Sequence, residues 1–424
     1  MTPAARDRWL VEAAERLGTP CFVYFADAIA QRAVRLRNAF QNRFTLSFAV
    51  KSNPNPALLA WLREQVDWLD VSSIGEMRLA LAAGWDPARL GFTGPAKRHA
   101  EIREAVAAGI GLLIVESVRE ARIADAAAAA TGRRQEVLVR ISPAVVPRGF
   151  GDRMAGQPSA FGIDWEDTAR DLPSILALPR LRVAGFHIYA ATQCLRADAV
   201  VENYRGCIAL FRELCARHAI EAPTLIFGSG LGIPYHDGDA AIDLEAVGAA
   251  VLPDLDACRA DTGAGRLVLE LGRYLVGEAG FFVTGVVATK LSRGRHIALC
   301  DGGMNNNLPA SGNFGMVIRR NYRMHKVGGG DAEQPVDVVG PLCTSIDRLG
   351  SAVLLPPLDE GDLIAVHNAG AYGLTASPVH FIGHPCPAEA MVCDNRLLDV
   401  SQRFGPAEPA YPAPAIVERL TVVA

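Results

Sequence analysis

From about residue 40 to residue 280 the chain alternates between two hydrophobic periods. Short apolar, often β-branched runs recur at 44–50 (FTLSFAV), 67–71 (DWLDV), 89–93 (RLGFT), 111–116 (GLLIVE), 136–141 (EVLVRI), 182–188 (RVAGFHI), 224–228 (TLIFG) and 267–271 (LVLEL). Between them lie stretches with helical spacing, such as PALLAWLREQ, GEMRLALAAG and RHAEIREAVAAG. Several of these close on glycine (Gly84, Gly109, Gly132), the residue suited to the position after a helix C-cap. Strands alternating with helices imply βαβ units and a parallel sheet. Eight units in about 240 residues match the size of a (β/α)8 barrel. An open, doubly wound sheet is the alternative. After residue 280 the helical period fades, and FFVTGVVATKL, HIALCDGG, VDVVGPL, SAVLL and GDLIAVHNAG read as strands separated by Gly/Pro turns, a separate all-β domain. Within it KVGGGDAEQP (326–335) reads as a flexible loop.

Composition narrows the function classes. Half of the 424 residues are hydrophobic, which excludes a disordered chain, and the net charge of −4 argues against a nucleic-acid binder. The N-terminal stretch MTPAARDRWLVEAAERLG reads as an amphipathic helix rather than a signal peptide. No window approaches the ~18 uninterrupted apolar residues of a membrane span, so the expectation is a cytoplasmic protein with no membrane partner. The nine cysteines are odd in number and lack CxxC spacing, as expected of buried thiols in a reducing compartment. Only four of the 42 basic residues are lysine: Lys51, Lys97, Lys290 and Lys326. Amine chemistry in this chain therefore has few candidates.

A barrel enzyme works at the C-terminal ends of its strands. That rim would carry Lys51, Asp70 with Ser72, Thr93, Glu116, Arg140, His187, the turn Gly228-Ser229-Gly230, and Glu270 with Arg273. Each has an ordinary structural account when taken singly, but together they suit an aldehyde cofactor bearing a phosphate. Such a cofactor needs a lysine to hold it as a Schiff base, and Lys51 is the only lysine at a predicted strand end. Its phosphate needs backbone N–H groups at a glycine turn, which 228–232 (GSGLG) could supply with help from an arginine. Its ring nitrogen needs an acidic partner, for which Glu270 is the candidate, and His187 could stack on the ring.

These residues resemble the fold-type III pyridoxal-phosphate decarboxylases, which include diaminopimelate, ornithine and arginine decarboxylases, with alanine racemase a more distant relative. The motifs run from TPCFVYFADAI (19–29) through FAVKSNP (48–54), LDVSSIGE (69–76), FGI (161–163), HIYAATQ (187–193), LELGR (269–273) and GPLCTSID (340–347) to NAGAYG (368–373). The resemblance implies a TIM-like barrel over 27–280, and a β domain of 281–424 completed by residues 1–26. It also implies pyridoxal 5'-phosphate as cofactor and a homodimer with shared active sites. Lys51 would form the Schiff base, His187 would stack on the ring and Glu270 would pair with the ring nitrogen. Asp70, Thr192, Gly228, Gly230, Gly272, Arg273 and Tyr372 would complete the cofactor site. Arg140, Thr344 and Asp347 would face the substrate, and Cys343 would arrive from the partner subunit to return a proton after CO2 leaves.

One departure bears on the substrate. Diaminopimelate decarboxylases generally carry glutamate after the cysteine and ornithine-type enzymes aspartate, each facing a distal amine. Here the residue is Thr344, which supplies no charge. Together with the long form HIYAATQ, this looks more like specialised relatives in biosynthetic clusters that act on carrier-tethered or conjugated amino acids. The expected reaction is α-decarboxylation. Free diaminopimelate or a basic amino acid is the alternative substrate, and an amino-acid racemase or a non-catalytic regulatory homologue the alternative function.

Overall fold

The computed structural model describes residues 1–220, 224–314, 316, 318–330 and 333–401. Helix α1, Pro3–Leu17, is capped by the Thr2 hydroxyl, which accepts from the Ala5 N–H, and leads into strand β1, Cys21–Phe25. Eight strands follow: β2 Thr45–Ala49, β3 Trp68–Val71, β4 Leu90–Phe92, β5 Leu112–Val115, β6 Gln135–Ser142, β7 Leu181–Ile188, β8 Thr224–Gly228 and β9 Arg266–Leu271. Each pairs parallel with its successor and β9 pairs with β2. The sheet is therefore closed, which decides for the barrel over the open sheet.

A helix follows every barrel strand, and side chains fix where several of these helices begin. Asn55, Ser73, Ser117 and Asp243 each accept a backbone N–H in the first turn, satisfying donors that would otherwise be orphaned. The strands are buried on both faces, which is why they read as continuous apolar runs. Trp68, Ile114, Leu138, Ile226 and Val268 fill the barrel interior, while their neighbours Leu69, Val115, Val139, Phe227 and Leu269 pack outward into the core beneath the helices. Alternation then sends the residue two steps on from each interior position back to the barrel axis, now at the C-terminal end. Those residues are Asp70, Glu116, Arg140, Gly228 and Glu270.

The second sheet is formed by β10 Gly280–Ser292, β11 Arg295–Cys300, β12 Met324–Lys326, β13 Gln334–Val339, β14 Arg348–Leu355, β15 Leu363–Val366, β16 Ala388–Cys393 and β17 Arg396–Asp399. Its order is β14–β13–β11–β10–β1–β16–β17, with β15 pairing β10 and β12. Strand β1 lies antiparallel to β10 and parallel to β16, so an N-terminal strand sits in the middle of a sheet otherwise made after residue 280. The β16–β17 hairpin was not among the strands expected from sequence. Its turn is Asp394-Asn395, both left-handed (φ 49° and 56°), a two-residue connection suited to a tight hairpin. Residues 402–424 of the expected β domain, and 331–332 of the glycine-rich loop, lie outside the described residues. No described helix is long and apolar enough to cross a membrane.

Candidate active site

Lys51 lies in the single turn Val50–Ser52 directly after β2. Two contacts tie this turn to the β domain: Asn53 Nδ2 donates to the Gly370 carbonyl at 3.0 Å, and the Tyr372 N–H donates to the Ser52 carbonyl at 2.7 Å. The loop 368–373 is thereby held over the barrel end, with Tyr372 itself in a left-handed conformation (φ 58°). The Lys51 amine stands 4.0 Å from Asp70 Oδ2, and the Lys51 side chain as a whole is 44% accessible. The other lysines differ. Lys97 is buried in an ion pair with Glu120 at 3.0 Å, Lys326 pairs with Asp362 at 2.7 Å, and Lys290 lies on β10 of the second sheet.

Register brings the polar ends of the strands together. Ala49 pairs with Asp70, Glu270 with Gly228 and with Ser47, and Arg140 with His187. Asp70 is buried and accepts a 2.6 Å hydrogen bond from the Thr93 hydroxyl. Burial and the Glu270 carboxylate push its pKa up to about 8, against the pull of Lys51. Glu270 is equally buried, and His187 Nε2 lies 3.1 Å from its Oε2. Burial works against its charge, but His187, then Lys51 and Arg140, outweigh it and hold the carboxyl below its usual range. For Lys51, burial favours the neutral amine; Asp70 above all, with Tyr189, Tyr372 and Glu270, reverses this and raises its pKa.

Arg273 opens the short helix after β9. Its Nη1 donates to the Tyr235 hydroxyl at 3.0 Å, and its guanidinium lies 4.9 Å from the Tyr372 ring centre and 5.4 Å from that of Tyr235. Thr192, Arg273 and Tyr372 line one cavity of about 430 Å³. Arg140 Nη1 donates to both oxygens of the buried Glu116 carboxylate at 3.2 and 3.3 Å, with its guanidinium 4.5 Å from the Phe161 ring centre. Its charge is thus engaged within the barrel end. The glycines are sites of close approach. A Cβ on Gly228 would stand 2.3 Å from the Tyr189 ring, and one on Gly272 would stand 3.1 Å from Ser52 Cβ. Gly230 adopts φ +66° beside the Phe150 ring.

Cys343, Thr344 and Asp347 lie elsewhere, on the loop between β13 and β14. Cys343 is exposed, and neither it nor Thr344 lines the cavity of its own chain. Asp347 is buried, and its two oxygens accept from the backbone N–H groups of Met304 (2.6 Å) and Leu342 (2.8 Å). Its carboxylate pins the loop from beneath. Three side chains that sequence reasoning did not single out also belong to the site. Tyr189 lies nearly parallel to His187 (14°, centroids 6.4 Å apart), and Tyr235 and Tyr322 pack together at 4.6 Å. Tyr189 follows His187 by two residues, so the strand period could have flagged it. Tyr235 and Tyr322 come from irregular segments without such a signal.

The donor set fits a planar, phosphorylated aldehyde. Buried Asp70 Oδ2, His187 Nδ1 and Arg273 Nε have no hydrogen-bond partner among the described residues, and the close-packed glycines Gly228, Gly230 and Gly272 stand at the same barrel end as the Lys51 amine. A closed parallel barrel with this set at its C-terminal end and an attached β domain defines a fold-type III pyridoxal-phosphate enzyme. Residues 26–277 match the pyridoxal-binding domain of the pyridoxal-dependent decarboxylases, and the chain belongs to that family. It is 33% identical over 387 residues to the L-glutamyl-[BtrI acyl-carrier protein] decarboxylase of Niallia circulans, covering 89% of each chain. It is 30% identical over 388 residues to the diaminopimelate decarboxylase of Aquifex aeolicus, covering 90% of this chain and 89% of that one. The crystal structure of Helicobacter pylori diaminopimelate decarboxylase complexed with L-lysine superposes with a TM-score of 0.81 at 26% identity, over 93% of this chain and 97% of that one. The protein is a pyridoxal-phosphate-dependent amino-acid decarboxylase.

Proposed function

We propose that the enzyme removes the α-carboxyl group of an amino acid whose side chain is conjugated or tethered to a carrier, within a biosynthetic route, and that it works as a homodimer. The observation that carries the substrate reading is the loop after β13. Cys343 is followed by uncharged Thr344, and the only carboxylate of the loop, Asp347, is spent on two backbone N–H groups. A distal ammonium would find no counter-charge there. The 33% identity to an enzyme named for a carrier-bound glutamyl group supports the same reading. The exposed thiol of Cys343, outside its own chain's cavity, supports a shared site in which it serves the partner. We take residues 27–280 as the cofactor-binding barrel and residues 281–424 with 1–26 as the β domain.

When bound, pyridoxal phosphate supplies a reactive aldehyde and an electron-accepting ring. The Lys51 amine would hold it covalently, a task a guanidinium cannot perform. Gly228, Gly230, Gly272, Arg273, Thr192 and Tyr372 would hold the phosphate end. Glu270, kept ionised by His187, would hold a proton at the ring nitrogen, and the His187 imidazole would support the ring. Cys343 of the partner would return a proton to the α-carbon, and Arg140, Thr344 and Asp347 would shape the substrate end. The protein's contribution is orientation and placed charge at the barrel end.

The test is CO2 release by the cofactor-loaded enzyme from diaminopimelate, lysine, ornithine, arginine and glutamate, each free, and from glutamate as a carrier thioester. The expected result is turnover of the thioester and none of the free acids. Efficient turnover of free diaminopimelate would overturn the substrate reading.

A further inference from the structure

The turn after β8 is stitched to its neighbours bond by bond. The Ser229 N–H donates to the Glu270 carbonyl at 3.0 Å, and the Ser229 carbonyl accepts from the buried Tyr204 hydroxyl at 2.8 Å. The Cys194 N–H donates to the Gly230 carbonyl, and the Cys194 carbonyl accepts from the Gly232 N–H, each at 2.9 Å. The last stitch is a side chain. Gln193 Nε2 donates to the Ile233 carbonyl at 2.8 Å, and Gln193 Oε1 accepts from the Ile233 N–H at 3.2 Å. The amide thus stands in for a neighbouring strand, and only this orientation of it satisfies both Ile233 groups. Gln193 does so from a left-handed backbone (φ 58°), a strained conformation for a residue with a Cβ. The stitching spends the N–H donors of Ser229, Gly232 and Ile233. Those of Gly230 and Leu231, side by side, have no acceptor among the described residues.

We propose that Gln193 is a positioning residue for the cofactor. It joins the segment of Thr192 to the turn of Gly228 and Gly230 and sets the spacing at which the two grip one phosphate. This rests on the phosphate reading of that turn given above. An anion is held by N–H groups that converge from a fixed backbone. A glycine-rich turn has few side chains to keep its own shape, so the restraint has to come from a neighbour. Both the oxygen and the nitrogen of the Gln193 amide bind Ile233, so the residue acts through the turn. It also lines the same cavity as Thr192 and Arg273, which puts the restraint at the site itself.

The test uses two probes, pyridoxal phosphate and pyridoxal, which differ only in the phosphate. Full-length protein freed of cofactor is titrated with each, and binding is read from the visible band without any substrate. Gln193→Met keeps the length and neutrality of the side chain and loses both bonds. Gln193→Asn suits the left-handed backbone but is too short to reach both Ile233 groups. Each variant should bind pyridoxal phosphate at least about fivefold more weakly, the scale of one or two lost hydrogen bonds, and pyridoxal within about twofold of wild type. A general packing defect would weaken both probes alike. Either variant decides the matter if the other does not fold. Equal losses for the two probes, or an unchanged affinity for pyridoxal phosphate, overturn the positioning role. Wild-type protein that binds the two probes equally well overturns the phosphate reading of the turn itself.

Discussion

Asp70 and Glu270 are two buried carboxylates at one barrel end, and their surroundings drive their titration apart. Glu270 is ionised because His187, Lys51 and Arg140 outweigh its desolvation; Asp70 is pushed up to about 8 by burial and by Glu270 itself. Replacing Glu270 with alanine removes a charged hydrogen-bond partner worth roughly 1.5–3 kcal/mol. The kcat for CO2 release should fall about ten- to a hundredfold, since about 1.4 kcal/mol is a factor of ten. Activity within about twofold of wild type would remove Glu270 from the mechanism. Asp70 predicts a stability effect in the cofactor-free protein. Its folded pKa lies above the ordinary carboxylate value of 3.8, so the contribution is fully present below that value and is lost as pH rises through about 8. The loss is at most about 1.4 kcal/mol per pH unit. A melting-temperature series from pH 4 to 8.5 should show Asp70→Asn losing less stability than wild type with rising pH, and parallel curves would contradict the assignment.

At the scale of elements, much of the barrel end was legible because strand alternation is simple. An apolar interior layer at Trp68, Ile114, Leu138, Ile226 and Val268 dictates that Asp70, Glu116, Arg140, Gly228 and Glu270 point the same way two residues later. Lys51 was legible as the polar residue ending the first strand of the pattern. What sequence reasoning could not give was the company these residues keep. The Glu116 pairing of Arg140, and the Tyr235 support of Arg273, depend on register and loop path rather than on period. The hairpin 388–399 escaped the sequence reading, although Asp394-Asn395 is a turn signal that could have been read. Asp347 shows the same limit. Its segment marks it as a site residue, while its two backbone bonds make it the support of the Cys343 loop. Asp347→Ala leaves two buried N–H groups without acceptors, at a cost of about 1–3 kcal/mol each. The expected outcome is a lower kcat with the visible cofactor band intact; an unchanged kcat would dissociate the loop's anchoring from turnover.

At the scale of the molecule, the N-terminal strand β1 lies in the middle of the second sheet between β10 and β16, and Asn53 and Tyr372 tie the loop 368–373 to the lysine turn. The Cys343 loop lies outside the cavity of its own chain, and the proposed shared site requires that a second copy supply it. Mixing Lys51→Ala and Cys343→Ala proteins, each inactive alone, should restore activity. Random reassortment makes half the dimers mixed, each with one intact site, or about a quarter of the wild-type level. No restoration after verified subunit exchange would contradict the shared site. The claim on which everything else rests is that one of four lysines holds the cofactor, and its most direct test is chemical. Borohydride reduction of the cofactor-loaded protein, followed by peptide mass mapping, should place the pyridoxyl adduct on Lys51 and on no other lysine. An adduct on Lys97, Lys290 or Lys326, or none, would contradict the account.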